Sequence, residues 1–228
     1  MGHIITDLKE TFRRGNTFIR LIYINVGIFV IGTLISVILQ LFNLSATGIF
    51  DLFALPASLH RFILQPWSLL SYMFMHAGFL HILFNMLALW SVGPVLEKMM
   101  GHWPFLALYV LSGLGGGLGL MSWAALWPGG TGWLGGAYGA SGALFGLFAA
   151  MLVVYRRIGE DIRSMLVWMA VNFLMPFLVG GIAWQAHVGG FIVGGVFTWL
   201  LVSGVHALRG KSLTFRTMVY GAVVLALI

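Results

Sequence analysis

Apolar residues come along this chain in long runs, separated by short polar or glycine-rich stretches. A helix crosses the hydrocarbon core of a bilayer in about 20 residues, and runs of that length predict spans at 20–42, 78–99 and 104–126. A fourth begins at Ser141 and stops before Arg156, and two more cover 164–181 and 186–206. The stretch 43–75 mixes Asp51, Pro56, Arg61 and Pro66 with Leu, Phe, Ile and Trp. It is too polar to span, and the mixture suits elements lying at the membrane interface. Residues 129–139 are dominated by glycine and read as a loop. Residues 217–228 are apolar again but too short to cross, so they are either part of a seventh helix or a terminal interfacial segment. The expected architecture is an all-α, polytopic bundle. A polar segment over 1–19 precedes a six-helix membrane domain over 20–206, and 207–228 forms a terminal segment.

Composition sharpens this. Of 228 residues, 60% are hydrophobic and 8% charged, more apolar surface than a soluble domain can hide. Six spans use roughly 120 residues, which leaves short loops and no second soluble domain. Cysteine is absent, which excludes disulfides, a thiolate nucleophile and cysteine-ligated metal. The first 20 residues are polar and of mixed charge, so neither a cleavable signal nor a transit peptide is expected.

A net charge of +6 raises the question of nucleic acid, but its distribution answers in terms of topology. Lys9, Arg13, Arg14 and Arg20 precede the first span, and Lys98 closes the second. Arg156, Arg157 and Arg163 join spans 4 and 5, and Arg209, Lys211 and Arg216 follow span 6. With six spans, only Arg61 of the twelve Lys and Arg falls on the opposite side. The positive-inside rule then puts both ends of the core in the cytoplasm, as expected for a multi-pass protein of a bacterial plasma membrane. The partner this charge serves is the lipid bilayer, not nucleic acid.

Candidate chemistry lies in the residues that break the apolar pattern, because polar groups inside spans are costly. Span 2 opens with His76, His81 and Asn85, span 4 with Gly139-Ala140-Ser141-Gly142, and span 6 with Ala186-His187. All three openings fall at the outer end of the bundle. His81 and Asn85 are four apart and share a helix face. Gly142 with Gly146, and Gly190 with Gly194, are small-xxx-small pairs that let helix backbones approach closely in lipid. Packed along those faces, spans 4 and 6 would bring Ser141 to His187 within the roughly 3 Å that proton transfer needs. Taken singly, each feature has an ordinary explanation. Serine in a membrane helix bonds back to its own backbone, histidine is often a buried hydrogen-bonding residue, and glycine pairs pack helices. Their coincidence at one depth favours a nucleophile and its base.

At these residues the chain resembles the rhomboid family. HAGFLHILFN matches the pattern H-A-x-x-x-x-H-x-x-x-N with His76, His81 and Asn85. Gly139-Ala140-Ser141-Gly142 matches G-x-S-G, and Ala186, His187, Gly190 and Gly194 match A-H-x-x-G-x-x-x-G. Order and spacing agree over about 60–205. The resemblance implies an intramembrane serine endopeptidase that cuts transmembrane segments of single- or multi-span membrane proteins without metal or other cofactor. Ser141 would be the nucleophile and His187 its base. Asn85 and His81, with the Ser141 backbone N–H, would stabilise the oxyanion. His76 and Gly139 would support the site, and Phe145, one turn below Ser141, would stack on the His187 ring. Glu97 resembles the acidic residue that ends the family's second span and is read as structural. The family's first-loop Trp-Arg pair is here Trp67-Ser68.

Of the carboxylates, only Asp51 falls on the outer side, and it belongs to the first loop. A Ser–His dyad is therefore expected instead of a triad. Span 5, carrying Trp168, Phe173 and Phe177, is expected either to gate lateral entry or to face lipid. The alternatives are a catalytically silent relative that binds membrane clients, a small transporter or channel, and a metalloprotease using His76, His81 and His187. The first would have lost Ser or His. The second would need a polar path through spans whose inner halves are apolar, and the third lacks a nearby carboxylate.

Overall fold

A computed structural model describes residues 16–56, 58–127, 136–163, 165–167, 169–170 and 183–228. Five of its helices are long and apolar enough to cross a membrane. They are α1 (Thr17–Leu41), α5 (Phe79–Met100), α6 (His102–Leu126), α7 (Ser141–Ile158) and α8 (Trp184–Ser203). Each falls on a predicted span, with ends shifted by a few residues. The predicted fifth span enters as helix at 163, 165–167 and 169–170, and its remainder, with Trp168, Phe173 and Phe177, lies outside the described residues. Among the described residues the protein is all-helical apart from one isolated bridge, Leu55 to Ala137. The chain is thus an integral membrane protein with an all-α, polytopic architecture.

The interior belongs to α6, α7 and α8. Phe105, Leu108, Tyr109, Leu147 and Phe197 are fully buried between them. By contrast, α1 buries only Phe18, Leu21 and Asn25, so most of its length presents apolar side chains outward, as a lipid-facing helix does. What ties α1 to the bundle is Glu97, buried near the C-terminal end of α5. Its Oε1 accepts from the Thr17 N–H at 2.6 Å and its Oε2 from the Phe18 N–H at 2.9 Å, and His102 Nδ1 contacts Oε1 as well. A carboxylate at a helix N-terminus satisfies orphan donors and opposes the positive end of the dipole.

The stretch between α1 and α5 folds into three short helices, α2 (Thr47–Asp51), α3 (Leu59–Leu64) and α4 (Ser68–Ser71), and a 3₁₀ turn at Tyr72–Phe74. Trp67 Nε1 donates to the Leu52 carbonyl and the Ser71 hydroxyl to the Phe53 carbonyl, each at 2.8 Å. These bonds hold a loop that carries Ser68 where the family pattern has Arg. The terminal apolar segment is longer than its hydropathy indicated. A Ser212 cap starts α9 (Leu213–Leu227), which buries Thr217, Tyr220, Gly221 and Val224 against the bundle. Arg216 Nη1 and Arg209 Nη2 donate to the Leu201 and Ser203 carbonyls at the C-terminal end of α8, where cations are favoured.

Candidate active site

Ser141 is the first residue of α7 and His187 lies in the first turn of α8. Their meeting is a consequence of glycine. A methyl on Gly142 would stand 3.3 Å from the Ala186 carbonyl oxygen and 3.4 Å from Gly116 Cα. One on Gly194 would meet Gly146 Cα at 2.5 Å, and one on Gly190 would run into the Gly142 carbonyl. The backbones of α7 and α8 are therefore in contact along this seam. The seam also has a third wall that the sequence reading did not use. The glycine run of α6 enters it, with Gly115 and Gly119 against Gly189, Gly116 against Gly142, and buried Ser112 against Gly146. The run Gly113-Leu114-Gly115-Gly116-Gly117 was the visible signal for it.

At the end of this seam Ser141 Oγ lies 2.9 Å from His187 Nε2, a hydrogen-bond distance. His187 is 4% exposed, and its Nδ1 has no hydrogen-bond partner among the described residues. Instead, Phe145 lies flat against the imidazole, with centroids 4.2 Å apart and planes 10° from parallel. The ring is thus oriented by packing on one side and by the serine hydroxyl on the other. Asp51 ends α2 in the first loop and makes no hydrogen bond to His187 Nδ1.

Gly139 sets the approach to Ser141. Its φ of +130° is a conformation that side chains rarely adopt, and its N–H donates to the Tyr72 carbonyl at 2.9 Å. A Cβ there would lie 2.8 Å from His81 Nε2 and 3.8 Å from Ser141 Oγ. The imidazole of His81 and the serine hydroxyl therefore border the same small space. His81 Nδ1 accepts from the Ala77 N–H at 3.4 Å. An accepting Nδ1 puts the ring proton on Nε2, so that nitrogen is a donor facing the space beside Ser141.

His76 packs edge-on against His81, with centroids 5.2 Å apart, and is buried. Burial, with His81 as the second cause, pushes its imidazole down to about 4, so it is neutral at pH 7. Asn85 donates through Nδ2 to the His81 carbonyl at 2.7 Å, one turn back on its own helix, and its buried Oδ1 has no partner among the described residues. Its second amide N–H remains for another acceptor. Of the Gly-rich loop over 129–139, residues 136–139 are described. Ala137 pairs with Leu55 and so joins this loop to the first one.

The Lys and Arg of the described membrane-spanning helices lie at their other ends, and Arg61 is in the first loop. Arg20 lies in the first turn of α1, Lys98 in the last turn of α5, and Arg156 and Arg157 in the last turn of α7.

The family model described as the Rhomboid domain matches residues 64–204. The rhomboid protease GluP of Bacillus subtilis (strain 168) is 34% identical over 139 residues, which is 58% of this chain and 25% of that protein. The putative rhomboid protease YdcA of the same organism is 35% identical over 144 residues, 60% of this chain and 67% of that one. The rhomboid protease AarA of Providencia stuartii is 29% identical over 163 residues, 62% of this chain and 58% of that protein. The chain thus spans from a quarter to two thirds of the length of these relatives.

Proposed function

The chain belongs to the rhomboid family, and on that premise we propose that it is an intramembrane serine endopeptidase working through a Ser141–His187 dyad. The observation that carries this reading is the 2.9 Å contact between Ser141 Oγ and His187 Nε2 at the end of a glycine seam. Ser141 Oγ attacks the scissile carbonyl carbon while His187 Nε2 takes its proton. The negative charge that develops on the carbonyl oxygen is met by the Ser141 backbone N–H, the His81 Nε2–H and the free Asn85 amide N–H. The Ser141 N–H has no partner among the described residues, as first-turn donors have no intrahelical acceptor. Collapse of the tetrahedral adduct breaks the C–N bond as His187 returns the proton to the leaving amine. Water, deprotonated by the same imidazole, then hydrolyses the acyl-serine. Phe145 does by stacking what a carboxylate does in a triad: it holds the imidazole in register.

The substrates are transmembrane segments of other membrane proteins, entering sideways and unwinding locally so that a peptide bond is exposed. The segregated cations orient the chain with both ends of the core in the cytoplasm and the dyad toward the far side of a bacterial plasma membrane. The relatives named as proteases support the activity, and the two intact dyad residues favour a working enzyme over a silent client-binding relative.

The test is cleavage of a single-span reporter in vesicles by the unsubstituted protein, Ser141→Ala and His187→Ala, each with and without chelator. The reading expects cutting by the first alone and no effect of chelator. Cutting by Ser141→Ala would remove the serine mechanism, and loss of activity with chelator would replace it with a metal.

A further inference from the structure

A groove runs from the outer surface to His76, and polar groups are set among the apolar side chains of its wall. Its inner part is a cavity of about 690 Å³ between the outer half of α1 and the first loop, reaching His76 and Tyr138. Tyr138 in turn neighbours His81, with ring centroids 6.4 Å apart. A second cavity of about 550 Å³ adjoins it and shares Ser36, Thr47 and Phe50 with it, continuing outward past Gln40 and Asn43. Hydroxyl and amide groups thus run along one side of a path that ends beside the active site, and Asp51 lines it midway.

Asp51 is unusual in its position. Among the described residues it is the only side-chain carboxylate that the proposed topology puts on the outer side, it is exposed, and it has no ion-pair partner. It ends α2, and a helix C-terminus repels negative charge. The loop that follows is pinned by Trp67 and Ser71 to Leu52 and Phe53, and the Phe50 ring is held against α1, 3.1 Å from where a Cβ on Gly32 would be. The backbone that carries this carboxylate is therefore held in place, with no cation paired to it among the described residues, on the wall of a cavity that reaches His76 and Tyr138.

Resting on the protease reading above, we propose that Asp51 and this groove form a substrate subsite that selects a basic side chain near the scissile bond. Chain geometry limits how near. Asp51 is four residues before Leu55, Leu55 pairs with Ala137, and Ala137 is four residues before Ser141. Standard chain dimensions then keep Asp51 within about 32 Å of Ser141, the reach of about nine extended residues. A groove walled by protein and lipid lowers the local dielectric, which strengthens a single carboxylate–cation contact over its worth in open water.

The experiment uses matched single-span substrates in phosphatidylglycerol vesicles, which offer no amine headgroup to compete. They carry Arg, Gln or Glu at each position up to nine residues either side of the bond. The unsubstituted enzyme is expected to prefer Arg over Gln by about threefold to tenfold in kcat/KM at one or two neighbouring positions, the size of one partly exposed ion pair. Asp51→Asn brings that ratio to about one, and Asp51→Lys turns it to favour Glu. Binding of the same substrates to Ser141→Ala protein, with Asp51 kept or replaced by Asn, separates this claim from the protease reading. An Arg-dependent affinity lost with Asp51→Asn, without cleavage by the unsubstituted enzyme, would sustain the subsite and sink the protease reading. Cleavage with no charge preference, or one indifferent to Asp51, would overturn the subsite and leave the protease reading standing.

Discussion

Gly190→Ala is a one-methyl test of how the dyad is assembled. The added carbon would lie 2.7 Å from the Gly142 carbonyl carbon and 3.1 Å from its Cα, and closer still to the carbonyl oxygen. Relaxed carbon contacts sit at about 3.5–4.0 Å, and both obstacles are backbone atoms one residue from Ser141. No side chain can rotate away, so α7 and α8 must separate by about an ångström at the level of the dyad. A misplacement of that size costs about 10²-fold in rate, and overpacking costs about 1–3 kcal/mol of stability. Gly195→Ala, on the same helix, is the control. Its Cβ would lie 3.4 Å from the Ala149 Cβ, an ordinary contact. It should cleave within about twofold of the parent and gain up to about 1 kcal/mol by removing a helical glycine. Reporter turnover in vesicles and thermal unfolding read both effects. Gly190→Ala protein as active as Gly195→Ala would refute the claim that backbone contact along this seam sets the serine–histidine distance.

Other substitutions probe the remaining parts. Gly139→Ala forces a side chain onto a positive-φ backbone and into His81, and should lower kcat about 10²–10³-fold, the loss of one oxyanion donor, and lower the unfolding midpoint by the equivalent of about 1–3 kcal/mol. Phe145→Ala removes the surface that orients His187 and should reduce kcat about 10-fold with KM little changed, whereas Phe145→Tyr should keep most of the rate. Glu97→Ala leaves two N–H groups at the start of α1 unsatisfied and should cost about 2–4 kcal/mol, seen as a lower midpoint in thermal unfolding.

The membrane spans were legible because hydropathy over 20 residues is a strong signal. The closeness of Ser141 and His187 was legible for a different reason: Gly142, Gly146, Gly190 and Gly194 have the spacing of one helix face, so the seam is written in sequence. The part played by α6 escaped that reading because its small residues offer several four-residue pairs at once, Ser112 with Gly116, Gly113 with Gly117 and Gly115 with Gly119, so no one face stands out. The first loop was legible only as interfacial. Its order depends on long-range bonds from Trp67, Ser71 and Leu55 that no local pattern encodes. Residues 43–75 also hid the groove, since cavities arise from how elements sit together. Similarly, Asn85 lies on the expected face of α5, but the bond from its amide to the His81 carbonyl is a rotamer choice visible only in three dimensions.

Covalent labelling with a fluorophosphonate, followed by mass spectrometry of the digested protein, tests the central claim most directly. A nucleophile activated by His187 predicts a single adduct, on Ser141, formed by the parent and lost in His187→Ala protein that still folds. An adduct that forms equally without His187, or one that lands on another residue, would contradict it.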